Sequence, residues 1–222
     1  MTTGTASEDQ KNVGLFALDP KTLEVKSSVV SGYPDLRSVA ISDTGNDVAI
    51  FEAVFDKISS LQTSNYLAIY SNGDLTKSPS TIDLSAYPAS SEAKSKLEYY
   101  NGLLLVAVNQ SGVVIADPEN MNVQANIPAP NLAGIDKANQ SSNAVSVGTA
   151  ESTDVVFIAN GEAGLWVGDG DSIEKQKTNG TGSIAGSIRF GAGQSVNYVA
   201  CKNSLVVAAV GTGGLKVLTL SK

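Results

Sequence analysis

The chain has 222 residues, 42% hydrophobic and 17% charged, a globular balance with room for one sizeable core or two small ones. A net charge of −7 without any Lys/Arg cluster argues against a nucleic-acid backbone as partner. Histidine is absent, which removes Ser/His/Asp and Cys/His catalysis and the commonest transition-metal ligand; the single cysteine, Cys201, cannot form an internal disulfide.

Met1–Gln10 is polar and has no apolar stretch of the kind a signal peptide carries. It reads as a disordered or appended N-terminus ahead of a single domain spanning 11–222. No apolar run approaches the ~20 residues of a membrane span, and the longest, Leu103–Val108, has strand length. Membrane insertion is therefore not expected.

Along the chain, one unit recurs. Gly14-Leu15-Phe16-Ala17-Leu18-Asp19-Pro20 matches Gly112-Val113-Val114-Ile115-Ala116-Asp117-Pro118 almost residue for residue. Gly164-Leu165-Trp166-Val167 and Gly214-Leu215-Lys216-Val217 are further copies, and Tyr66–Tyr70 followed by Asn72-Gly73 fills the remaining place. The glycines at 14, 112, 164 and 214 are spaced by 98, 52 and 50 residues. A period of about 50 residues with room for four strands points to propeller blades.

Each Gly turn follows a near-continuous apolar run: 47–51, 103–108, 155–159 and 205–210. Apolar side chains on both faces predict burial on both faces, as for a strand held between neighbouring blades. Innermost strands are predicted at 36–41, 96–100, 143–147 and 195–201. Outer strands are predicted at 24–29 and 173–177. The count is two strands, three sets of four, then three. The terminal strands sum to five where a blade seats four. The expectation is all-β: a β-propeller of four to five blades, closing atypically or forming part of a larger propeller. A part would leave open blade faces able to self-associate through the terminal strands.

The chain resembles the β-propellers built from LVIVD-type repeats. Val156-Phe157-Ile158-Ala159-Asn160-Gly161 with Gly164–Val167, and Val206–Val210 with Gly214–Leu218, carry the resemblance. The repeat's valine-aspartate ending survives best at Leu18-Asp19 and Ala116-Asp117. The resemblance implies an extracytoplasmic bacterial protein, in the periplasm or at the cell surface.

No residue set singles out a reaction, and no cofactor or metal is implied. Asp169-Gly170-Asp171-Ser172 lacks the further ligands of a Ca²⁺ loop and reads as an Asp-Gly hairpin turn. Asp43, Asn46 and Asp47 fit a turn equally well. Asp35 and Glu98 are the only acids near the innermost strands. Trp166 and Phe157 are expected to pack between blades. Tyr33 and Tyr87, each followed by proline, and Tyr99 and Tyr100 on an innermost strand are candidate ligand contacts, since exposed rings stack on sugars and peptides. The loop 56–64 is longer than its hairpin needs. The leading expectation is a non-catalytic binding or scaffolding domain whose rim loops meet a protein or carbohydrate ligand. The alternatives are a lactonase-like metal hydrolase with acids in the channel, and an assembly module using open blade edges.

Overall fold

The computed structural model describes residues 14–30, 35–55, 62–90, 94–150, 152–179 and 184–220. A hairpin of β1 (Gly14–Leu18) and β2 (Val25–Val30) comes first. The first blade is β3 (Asp35–Ile41), β4 (Val48–Phe55), β5 (Gln62–Tyr70) and β6 (Ser80–Asp83). The second is β7 (Leu97–Tyr100), β8 (Leu103–Ala107), β9 (Val113–Asp117) and β10 (Asn122–Ile127). The third is β11 (Ala144–Ala150), β12 (Thr153–Ala159), β13 (Leu165–Asp169) and β14 (Gly186–Ile188). The fourth is β15 (Tyr198–Lys202), β16 (Leu205–Ala209) and β17 (Leu215–Thr219). All pairings are antiparallel between chain neighbours, so the four blades form a β-propeller arrangement. The predicted sequence of two, three fours and three is what the described residues contain.

The turn between the second and third strands explains the period. In the second blade Val108 N donates to Gly112 O and Gly112 N to Asn109 O; in the third, Asn160 N donates to Gly164 O and Gly164 N to Gly161 O. The fourth repeats this at Val210, Gly211 and Gly214. Gly112 (φ +90°) and Gly164 (φ +96°) take left-handed backbone that L side chains avoid. A Cβ there would also meet a carbonyl of the outer strand, 2.0 Å from Ile127 O and 2.4 Å from Ile188 O.

The core is a series of layers between blades. Leu104 and Val106 of β8 point to the first blade, against Phe51 and Leu67; Leu103 and Leu105 point to the third, against Val156 and Ile158. Every residue of β8 and β9 is buried, as their unbroken apolar runs require. Phe157 is buried against Val199 and Val206 of the fourth blade, while Trp166 is half-buried against the layer between the second and third.

Two expectations are corrected. Residues 173–177, predicted as an outer strand, lie in α1 (Asp171–Asn179), and the outer strand of that blade is Gly186–Ile188. Asp171 and Glu174 place negative charge in the helix's first turn. Ile173 is fully buried in the layer between the second and third blades, and Gln176 Nε2 donates to Asn126 O at 2.7 Å. One anchoring apolar residue per two turns suits a short helix lying across a blade edge. Asp169-Gly170-Asp171 is accordingly a strand-to-helix joint and not a hairpin, with Gly170 N donating to Asp154 O at 2.6 Å. No helix among the described residues is long and apolar enough to cross a membrane.

Candidate functional site

The innermost strands are tied to one another by side chains that cap backbone N–H groups of the next blade. Ser38 Oγ accepts from Leu97 N at 2.9 Å, joining the first and second blades. Glu98 Oε1 accepts from Val147 N at 2.7 Å, and Oε2 from Ser146 Oγ at 2.9 Å, joining the second and third. Ser146 Oγ in turn accepts from Cys201 N at 3.2 Å, joining the third and fourth. Each cap satisfies a donor that a strand edge leaves unpaired.

The two acids singled out in sequence are therefore engaged. Glu98 is ion-paired with Lys96, whose ammonium also donates to Val199 O at 3.4 Å and lies 5.6 Å from the Tyr198 ring centre. Asp35 is ion-paired with Arg37 at 2.8 Å in a nearly dry setting, and Arg37 Nη1 donates to Ser90 O at 2.7 Å. Cys201 sits beside this network, and burial pushes its thiol up to about 11, so it stays protonated and a poor nucleophile at neutral pH. Among the described residues no three His, Cys, Asp or Glu side chains gather in a metal-binding group.

The turns and connections that feed the second, third and fourth blades meet above this network around a cavity of about 320 Å³. Gln110 and Gly161 come from the repeated Gly turns. Asn139 and Asn143 come from the segment entering β11, and Ser195 and Asn197 from the segment entering β15. Paired backbone bridges, Asn109 with Ser142 and Gly161 with Val196, fix the turns against those segments. Asn109 also holds the segment entering β7, accepting from Ser90 N at 3.0 Å and donating to Lys94 O at 2.6 Å. Among the described residues Lys94 is the only charged side chain on the cavity wall.

A second cavity of about 480 Å³ adjoins it, sharing Lys94 and Asn197 and adding Tyr198 and Leu215. Tyr198 is 46% exposed. The combined groove thus has an amide-rich floor with an aromatic ring at one end.

The predicted tyrosines are not brought together. Tyr33 lies outside the described residues, as do residues 56–61 of the loop noted in sequence. Tyr87 and Tyr99 are half-buried against the layer between the first and second blades. The Tyr99 hydroxyl is buried without a hydrogen-bond partner, and burial, with Asp47 and Asp43 adding, pushes it up to about 12. Tyr100 points the other way; its hydroxyl donates to Asp154 Oδ2 at 2.8 Å. The turn reading of Asp43 and Asp47 is what forms, with Ser42 N donating to Asp47 O and Gly45 N to Ser42 O, each at 2.8 Å; the Asp47 and Asp43 carboxylates reach beyond it, accepting from Asn72 N at 3.0 Å and Gly102 N at 3.3 Å.

The cavity residues escaped sequence reading because amides and serines in blade connections look like ordinary turn residues. One signal could have found them. Ser141-Ser142-Asn143-Ala144-Val145 and Ser195-Val196-Asn197-Tyr198-Val199 are copies of a Ser-x-Asn entry into an innermost strand.

No protein-family model matches the chain, and no curated protein matches it in sequence. Solved structures do match in fold. The Dos1 propeller superposes with a TM-score of 0.64 at 7% identity, over 97% of this chain and 49% of that one. The Pseudomonas aeruginosa periplasmic gluconolactonase PpgL superposes with a TM-score of 0.63 at 13% identity, over 99% of this chain and 67% of that one. The class is thus a β-propeller, and the chain spans about half the length of the Dos1 propeller.

Proposed function

We propose that this propeller is a non-catalytic binding domain whose amide-lined groove takes a polar ligand, a glycan chain. The observation that carries the reading is the convergence of Gln110, Asn139, Asn143, Ser195 and Asn197 on one cavity beside an exposed tyrosine ring. Neutral amides both donate and accept, which suits the hydroxyl pairs of a sugar, and a tyrosine face suits its C–H surface. The LVIVD-type resemblance supports placing such a domain outside the bacterial cytoplasm, where glycans are met.

The full chain, labelled and applied to a glycan array, should bind a restricted set of sugars. Asn197→Ala and Tyr198→Ala should each weaken that binding by about tenfold, the scale of one lost hydrogen bond or stacking contact in a ligand site. Their melting temperatures should stay near wild type. Absence of any glycan binding, or variants that bind equally well, would overturn the reading.

The fold likeness to PpgL raises a second reading, a lactonase-like hydrolase. It requires carboxylates free to hold a metal, whereas Asp35 and Glu98 are each paired with a cation. A thermal shift on adding Ca²⁺ that a chelator reverses, together with opening of a sugar lactone, would favour the hydrolase over the binding domain.

A further inference from the structure

Away from the groove, the first blade carries a polar row on the face turned to the β1–β2 hairpin. Glu52 of β4 pairs directly with Tyr66 of β5, and Tyr66 with Asp83 of β6, so the three side chains lie in line across the blade. Ile50, Ala68 and Tyr70 share that face and pack against Leu15. Beside them opens a cavity of about 540 Å³, walled by Glu52, Tyr66, Tyr70, Thr81, Asp83 and, from the hairpin, Val29. That volume is in the range of small-molecule sites.

Glu52 is the anomaly in this cavity. It is only 6% exposed, yet among the described residues no Lys or Arg lines the wall and no ion pair reaches it. Its one hydrogen bond among the described residues comes from the Tyr66 hydroxyl to Oε2 at 2.8 Å. A buried carboxylate without a countercharge is costly, which is why such groups are found paired or at sites of function. Burial raises its pKa in spite of the Tyr66 bond. Asp83 is different: it is exposed at the mouth, and its bond from Ser85 keeps it in the ionised range. The cavity is therefore acidic at both depths and lined by tyrosine rings.

We propose that this cavity is a binding site for a small alkylammonium ligand, whose cationic head pairs with Glu52 and lies against Tyr66 and Tyr70 while its chain runs toward Asp83. A single ammonium group supplies the countercharge that the described lining lacks, and tyrosine faces attract cations through their ring quadrupole. The tyrosine hydroxyl holds Oε2, which leaves Oε1 as the acceptor for the incoming donor. A neutral isostere of equal size would fill the same volume without meeting either requirement.

The test is calorimetric titration of the full chain at low salt and neutral pH, with n-butylammonium chloride as probe and n-butanol as its neutral isostere. Butylammonium should bind saturably to one site, and butanol at least about tenfold more weakly, the factor expected of one desolvated charge pair. Glu52→Gln keeps the shape and the acceptor for Tyr66 but removes the charge, and should weaken butylammonium by about tenfold or more. Asp83→Asn, at the exposed mouth, should weaken it by only about two- to threefold. Melts of both variants establish that the fold is intact. Equal binding of butanol, full affinity in Glu52→Gln, or no butylammonium binding at all would overturn the assignment.

Discussion

The second and fourth blades are built from the same sequence unit and end in different environments. In the second, β8 and β9 are covered on both faces by neighbouring blades, and every residue of both strands is buried. In the fourth, β16 and β17 alternate. Val206 and Ala208 are fully buried against the third blade, while Leu205 is 47%, Val217 64% and Leu215 71% exposed on the other side. β8 and β16 are equally apolar, every residue of each being aliphatic. What differs is the neighbour: propensity and patterning make the sheet, but only a second sheet makes a buried face. Gly214 tells the same story. It has the left-handed backbone of Gly112 and Gly164 at φ +72°, but nothing lies within 4 Å of where its Cβ would be. Among the described residues the fourth blade has no outer strand whose carbonyl would press on it.

That contrast gives the largest expected effect. Gly112→Ala forces a left-handed alanine and drives its Cβ onto the Ile127 carbonyl and the backbone of Pro128 and Ala129. It should cost at least about 4 kcal/mol, the exceptional end of single substitutions. Gly214→Ala meets only the backbone term, at φ +72° and ψ −154°, and should cost about 1–3 kcal/mol. Urea melts of the two variants measure the difference. Equal losses would mean that the Gly214 turn is covered in solution as tightly as Gly112.

A smaller effect separates the blades at the channel. Ser146 accepts from the fourth blade and donates to the second, so Ser146→Ala leaves Cys201 N and part of the Glu98 carboxylate unmatched. Its cost should be about 1–3 kcal/mol, the penalty of stranding a buried polar group. Amide exchange should quicken first at Cys201, on the fourth blade, which among the described residues has a neighbouring blade on only one face. Uniform quickening across all blades would show that the capping chain is not what holds the fourth in place.

Most of the fold was legible in the sequence, because a propeller repeats its devices. The Gly turns recur between second and third strands, with an outer strand's carbonyl pressed close at Gly112 and Gly164, and the apolar runs recur where two blades must be separated. The helix was not legible, since Ile173 is its one apolar residue and Ile173–Lys177 alternates as readily as it winds. The candidate groove was half legible. Its walls follow the Ser-x-Asn copies, but which amides share a cavity depends on how far each blade is rotated from the last, and no local pattern encodes that. That Tyr99 and Tyr100 do not share a surface has a related reason. Adjacent residues on a strand face opposite ways, so one joins the layer toward the first blade and the other the layer toward the third.

The first blade's outward face adds a pH-dependent term that the fourth blade's lacks. The folded-state pKa of Glu52 is raised above the ordinary value of 4.5, by burial first and against the Tyr66 bond. An acid shifted upward on folding contributes stability that is complete below its unfolded pKa and is lost as pH rises through its folded one. Glu52→Gln removes the titration and keeps the acceptor. It should melt higher than wild type at pH 7.5, with the advantage closing as pH falls toward 4.5. A constant difference across that window would mean that the carboxyl carries no burial cost.

The smallest effect on stability is expected on the exposed face of the fourth blade, and it asks what that face is for. Val217 stands directly across from Val207 on this face, with the Ala209–Leu215 pair beside it. Two neighbouring pairs of apolar side chains facing water make a surface suited to a second sheet. If two copies of the chain meet there, the wild type should run as a dimer in light scattering and Val217→Lys as a monomer, because the ammonium cannot be desolvated in an apolar layer. The melt of the monomeric variant should then lie close to that of wild type diluted below its dissociation constant. If wild type is monomeric and Val217→Lys shifts stability by no more than about 0.5 kcal/mol, as for an ordinary surface change, the face is solvated. The apolar run of β16 would then be explained by its one buried side alone, and the rule that an unbroken run is covered twice would fail at this blade.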